Sequence, residues 1–164
     1  MTRSSTRGWM LAATSMLLVP TPVCAADRAF FPPQGRPASV SADAKPPFSA
    51  AVLVGDTLYL SGSIDLDPAT GRPATTVEAA ARAALDGVKR AVEAAGMTMD
   101  DLVWVQVFGT DLADFAAFGR IYETYFHGDL PARSFLGVDR LMGGARFEVT
   151  GIAVRRKAGR KDRP

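Results

Sequence analysis

Leu102-Val103-Trp104-Val105-Gln106-Val107-Phe108 is the stretch on which the fold turns. It is apolar except for Gln106 and reads as a strand. In regular alternation Val103, Val105 and Val107 point one way. Leu102, Trp104 and Phe108 point the other way, with Gln106 alone among them. A strand apolar on both sides is buried on both sides. Whatever sheet contains it needs two covers.

The flanking segments supply one of them. Thr75-Thr76-Val77-Glu78 has the spacing of a capping box. Ala81, Leu85, Val88 and Val92 then follow at helical intervals until Gly96. Past the strand, Asp111 and Asp114 offer N-cap chemistry for a second helix with Phe115, Phe118, Tyr122 and Tyr125 on one stripe. That stripe reads as a face packed on a sheet rather than as a ligand-binding row. Upstream, Ala51-Val52-Leu53-Val54 and Thr57-Leu58-Tyr59-Leu60-Ser61 flank a Gly55-Asp56 turn, a hairpin signal. Asp67 to Gly71 is a loop turn, and Ser134–Val138 and Ala145–Val154 are two closing strands. The order is strand, strand, helix, strand, helix, strand, strand, an α+β sheet with two helices. Both helices fit on one face only. The other face is predicted to meet further copies of the chain, a homo-oligomer.

The 164 residues are enough for one domain with a real core. Residues 1–25 hold Arg3, Arg7 and no acid, then an apolar run from Trp9 to Val19 and the small residues Ala25 and Ala26. This is the pattern of a secretory signal, cut near Ala25/Ala26, and the run is short of the roughly 20 residues a membrane-spanning helix needs. The mature chain is therefore expected outside the cytoplasm, periplasmic or secreted, with no stable membrane anchor. Cleavage would remove Cys24, the only cysteine, and with it any disulfide or thiolate chemistry. His127 is the only histidine and cannot form a His-cluster metal site. It reads as part of a helix C-cap region. Residues 26–47 form a Pro-rich arm, residues 48–156 the domain and residues 157–164 a basic tail. Between residues 26 and 154 lie 11 basic and 16 acidic side chains, so the body is acidic and nucleic acid is not an expected partner.

Two charged residues of the last third stand out. Arg133, in Pro131-Ala132-Arg133-Ser134-Phe135, sits where a loop enters a strand, a place that suits a fork-shaped clamp on a carboxylate. Glu148 shares its strand face with Ile152 and Val154 and must meet a partner, water or an interface there. A clamp and a separate carboxylate able to order water are the minimum kit for hydrolysing a small anionic substrate. A structural Arg133–Glu148 ion pair would use the same two residues.

The chain resembles the RidA/YjgF family of reactive-imine deaminases, also called endoribonuclease L-PSP-like proteins. The similarity covers about residues 46–156. It rests on Pro47-Phe48-Ser49, Val54 to Gly62, Asp67 to Gly71, Val107-Phe108-Gly109-Thr110-Asp111, Pro131-Ala132-Arg133-Ser134 and Glu148 to Ala153. The resemblance implies a chorismate-mutase-like fold and a homotrimer with clefts between subunits. It also implies hydrolysis of 2-imino acids, such as 2-iminobutanoate and 2-iminopropanoate, to 2-oxo acids and ammonia without metal or cofactor. Arg133 matches the family's carboxylate-binding arginine, and Glu148 its water-orienting glutamate. Gly62 and Phe135 match cleft residues that act through the main chain.

The walls depart from the family pattern. The usual cleft tyrosine is Phe48, the glutamine after Ser-Gly is Ser63, the small residue after Arg-Ser is Phe135, and an asparagine of the second helix is Gly119. Two functions follow from the resemblance: an exported imine or enamine deaminase, or a non-catalytic trimer of the same fold that holds a small carboxylate or a protein partner.

Overall fold

In a computed structural model that describes residues 27–33, 47–67 and 69–156, six strands form one sheet: β1 (Arg28–Phe31), β2 (Ala51–Val54), β3 (Thr57–Ile64), β4 (Leu102–Gly109), β5 (Ala132–Gly137) and β6 (Phe147–Val154). The helices are α1 (Val77–Ala94) and α2 (Phe115–Glu123). The expected signal segment with Cys24, most of the Pro-rich arm and the tail from Lys157 lie outside the described residues. No helix among the described residues is long and apolar enough to cross a membrane.

The hairpin turns where the sequence places it. Gly55, at a φ of +59°, reverses β2 into β3, a backbone state that glycine adopts without a Cβ clash. β1 adds a strand that the sequence reading assigned to the arm, pairing Phe30 with Val52 and Phe31 with Ala51. The sheet runs β1-β2-β3-β6-β4-β5, antiparallel except for β4 and β5, which are parallel across the α2 crossover.

α1 begins one residue later than the capping-box reading. Thr76, not Thr75, is the N-cap, and its hydroxyl accepts the Ala79 N–H at 3.2 Å. Glu78 stays in the first turn, where its charge suits the helix dipole. The C-terminus closes as expected at Gly96, φ +68°, with Gly96 N donating to Glu93 O and Met97 N to Val92 O. α2 is shorter than its aromatic stripe. The Thr124 hydroxyl donates to the Ile121 carbonyl at 2.6 Å and ends the helix before Tyr125. Asp111 caps the short turn Leu112–Asp114 through Ala113 N. Asp114 makes no cap bond; it accepts from Arg146 Nε at 2.6 Å.

One face of the sheet is packed. Leu58, Leu60, Val105, Val107, Phe147, Val149 and Ala153 are buried with Ala81, Leu85, Val88 and Val92 of α1 and Phe118 and Tyr122 of α2. The other face carries no helix. Across it the paired residues Phe30, Val52, Tyr59, Ile152, Trp104 and Ala132 form one apolar row through all six strands. Phe30 is 64% exposed and Tyr59 50% exposed. The two-sided strand is real, with one correction to its alternation. A bulge between Leu102 and Trp104 turns Leu102 onto the packed face and leaves Val103 48% exposed. An extra residue in one strand of a pair shifts every later side chain to the opposite face.

The C-terminal end of the domain is tied to its body. Arg155 Nη2 donates to the Ala95 carbonyl at 2.8 Å, and Arg156 Nε pairs with Asp101 at 2.9 Å. Burial works against the Asp101 charge. The N–H of Thr98, the Arg156 guanidinium and the Thr98 hydroxyl outweigh it and hold the carboxyl below its usual range.

The start of β6 is fixed by Asp65, which is fully buried. Its Oδ1 accepts the N–H groups of Arg146 at 2.7 Å and Phe147 at 2.8 Å. Asp65→Ala strands both donors and should cost about 2–3 kcal/mol. Asp65→Asn keeps an acceptor oxygen and should lose less than half as much. Chemical denaturation of the two variants checks this, and equal losses would show that the two bonds do not hold the strand.

Candidate functional site

Glu148 is the second residue of β6 and points to the open face of the sheet, between its pairing partners Ile64 and Phe108. Its carboxyl lies against Gly62. A second bulge makes this approach possible. Between Leu60 and Ser63, β3 carries one residue more than β6 opposite, and the Thr150 hydroxyl donates to the Leu60 carbonyl there at 2.6 Å. A methyl built on Gly62 would fall 2.7 Å from the Glu148 carboxyl carbon, far inside contact. Phe48 is 57% exposed and precedes Ser49, whose carbonyl accepts the Ser61 hydroxyl at 2.6 Å. Gly62 and Glu148 thus meet on one side.

Ser63 is not brought to them. The same bulge turns it to the packed face opposite Val149, where its Cβ would be 3.1 Å from a methyl on Gly87 of α1. The resemblance put Gly62 and Ser63 in one wall, but consecutive strand residues face opposite sides, and the bulge gives the open side to Gly62.

Arg133 lies on the helix side. It is half-buried in β5, paired with Val105 of the packed face. Its guanidinium carbon sits 4.6 Å from the ring centroid of Tyr122 and 5.4 Å from that of Phe115. Among the described residues it forms no ion pair. Burial pushes the Tyr122 phenol up to about 12, with the Arg133 charge working in the opposite direction. Phe135 follows on the same face and closes an aromatic cluster with Phe115, Phe118 and Phe147 at centroid distances of 5.3, 5.7 and 6.4 Å. Gly109 makes room for that ring, since a methyl there would meet Phe135 Cζ at 2.9 Å.

Arg133 and Glu148 therefore face opposite sides of their own sheet, which excludes an ion pair between them within one chain. Each is left able to meet something that the chain itself does not provide. Sequence reading named both residues. It missed the aromatic platform of Arg133, because Phe115 and Tyr122 sit on a stripe whose spacing signals packing. It also missed Asp65, a lone acid in a loop. His127 is exposed beyond α2, with its backbone N–H donating to Asp100 Oδ1 at 2.9 Å.

Comparison with known proteins agrees with this fold. A family model described as Endoribonuclease L-PSP matches residues 38–155. The 2-iminobutanoate/2-iminopropanoate deaminase of Salmonella typhimurium is 42% identical over 113 residues, 67% of this chain and 88% of the relative. The protein of the same name from Mus musculus is 41% identical over 110 residues, 66% of this chain and 81% of the relative. Among solved structures, the YjgF gene product from E. coli matches with a TM-score of 0.68 at 37% identity, over 78% of this chain and 99% of that one. E. coli TdcF with bound serine matches with a TM-score of 0.69 at 33% identity, over the same shares.

The contact of Gly62 with Glu148 gives a direct test. Gly62→Ala displaces the end of a flexible side chain, so the fold should survive with its melting temperature nearly unchanged. Any activity that depends on the Glu148 carboxylate should fall about 100-fold, the cost of moving a reacting group by roughly 1 Å. Full turnover by the Gly62→Ala protein would show that the position of Glu148 does not matter.

Proposed function

The chain belongs to the endoribonuclease L-PSP family, the RidA/YjgF proteins, and from that premise we propose that it hydrolyses small 2-imino acids to 2-oxo acids and ammonia. The observation that carries this reading is an arginine with no acidic partner among the described residues, half-buried and set on aromatic faces. Such a guanidinium keeps its in-plane N–H groups available for a two-pronged bond to a carboxylate.

In the proposed reaction Arg133 clamps the substrate carboxylate and Glu148 orders a water against the C=N carbon. The water oxygen bonds to that carbon as the C=N π pair moves to nitrogen. Glu148 takes the water's proton and returns it to the nitrogen, giving a tetrahedral carbinolamine. Collapse moves the hydroxyl proton to nitrogen, restores a C=O double bond and expels ammonia. Positioning supplies most of the rate, since an imine carbon needs no strong base. Phe48 and the backbone of Gly62 and Phe135 would line the cleft, and Ser63 would contribute through its main chain alone.

The cleft would form between subunits. An Arg133 on the helix side and a Glu148 on the open face need a second copy to meet. The uncovered apolar row supports an association that buries it, and we propose the homotrimer. Export is proposed on the signal-like segment, and N-terminal sequencing of the native protein should return a start near Ala26. An intact Met1 would contradict it.

If Arg133 is a clamp, Arg133→Lys should fail almost as badly as Arg133→Ala. The expected loss is about 2–4 kcal/mol, roughly 30- to 1000-fold in kcat/KM. Melting should be unchanged and light scattering should return three subunit masses. Full activity in Arg133→Ala, or a folded monomer on dilution, overturns the reading.

A further inference from the structure

An arginine that clamps a ligand has to be held without using up the donors that do the clamping. A salt bridge to an acid of its own chain would occupy those donors. An aromatic face does not, because the ring engages the π-face of the guanidinium and leaves its N–H edge open. Arg133 is held in this second way. Tyr122 lies under it at 4.6 Å and Phe115 flanks it at 5.4 Å.

The two rings are seven residues apart on α2, so they share one helix stripe. Neither is loose. Tyr122 is buried and packs on Phe118 and Phe126, at centroid distances of 6.1 and 4.7 Å. Phe115 is half-exposed and meets Phe135 edge to face at 84°. The hydroxyl of Tyr122 is buried with no hydrogen-bond partner among the described residues. A buried polar atom without a partner works against stability, so the contribution of Tyr122 comes from its ring.

We propose that Phe115 and Tyr122 are the positioning residues of Arg133, a two-ring cradle that fixes the plane of the guanidinium so that its N–H edge is presented to the substrate carboxylate. The inference rests on the reading of Arg133 as the carboxylate clamp. It assigns to the aromatic stripe of α2 a role in substrate affinity besides its packing.

The test uses the full mature chain, with 2-iminobutanoate generated in situ as substrate and 2-oxobutanoate as a binding probe read by calorimetry. Because the cradle acts on carboxylate binding, Phe115→Leu should raise KM and the Kd for 2-oxobutanoate about 5- to 10-fold. Its kcat should stay within about twofold and its melting temperature close to wild type. Tyr122→Leu should raise both constants similarly while also lowering the melting temperature. Tyr122→Phe restores the ring face and should bring both constants back toward wild type.

The cradle is overturned if Phe115→Leu leaves KM and Kd unchanged on a background where Arg133→Ala abolishes binding. It is also overturned if Tyr122→Phe is as damaging as Tyr122→Leu. A wild-type protein that binds 2-oxobutanoate no better than Arg133→Ala overturns the clamp reading itself, and the cradle with it.

Discussion

Alternation along β6 is the constraint that the rest of the molecule obeys. This strand lies between β3 and β4, so both its edges are paired and its register cannot slip without disturbing two ladders. Phe147, Val149 and Ala153 are committed to the helices, and that commitment sends Glu148, Thr150, Ile152 and Val154 to the face that has none. A carboxylate is thereby held on the open face between Ile64 and Phe108, with Thr150 separating it from the row of Trp104, Tyr59 and Ile152. Asp65 and the Asp114–Arg146 pair hold the first residues of the strand, so the position of the carboxylate is fixed from two directions.

The same register separates the two charges. β5 pairs in parallel with β4 and carries Arg133 on the helix side, whereas Glu148 is on the other. Folding of one chain therefore completes a core and leaves Arg133 and Glu148 on opposite faces. In the proposed account, assembly and chemistry have one cause: burying the open face of each sheet is also what brings a clamp to a water-ordering carboxylate. A fold whose cleft lies between subunits keeps small substrates away from its own core packing. In that account the cleft residue Phe48 changes without touching the β6 alternation, whereas Phe135 packs on Phe147 of β6 itself.

Much of this was legible in the sequence because it follows from periodicity. The Gly55 turn, the buried stripe Ala81-Leu85-Val88-Val92 and the two-sided strand from Trp104 to Phe108 read correctly. What escaped were departures from strict period. The bulges at Val103 and between Leu60 and Ser63 have no composition signal, yet they turned Leu102 inward and put Gly62 rather than Ser63 on the open face. β1 escaped for another reason. Only Phe31 of its four residues is even partly buried, so the strand exists by pairing to β2 rather than by a pattern of its own. Arg133 and Glu148 were visible as charges in strand contexts. The faces they occupy were not, since those depend on which strand each one pairs with.

The central claim is that one site takes Arg133 from one subunit and Glu148 from another, and subunit mixing tests it most directly. Arg133→Ala and Glu148→Gln proteins, each inactive alone, are unfolded together in equal amounts, refolded and assayed for ammonia release from 2-iminobutanoate. Random assembly places both native residues in one site in about a quarter of cases, so about a quarter of wild-type activity should return. A mixture that exchanges subunits but stays as inactive as its components would contradict the account, because it would place both residues in the site from a single chain.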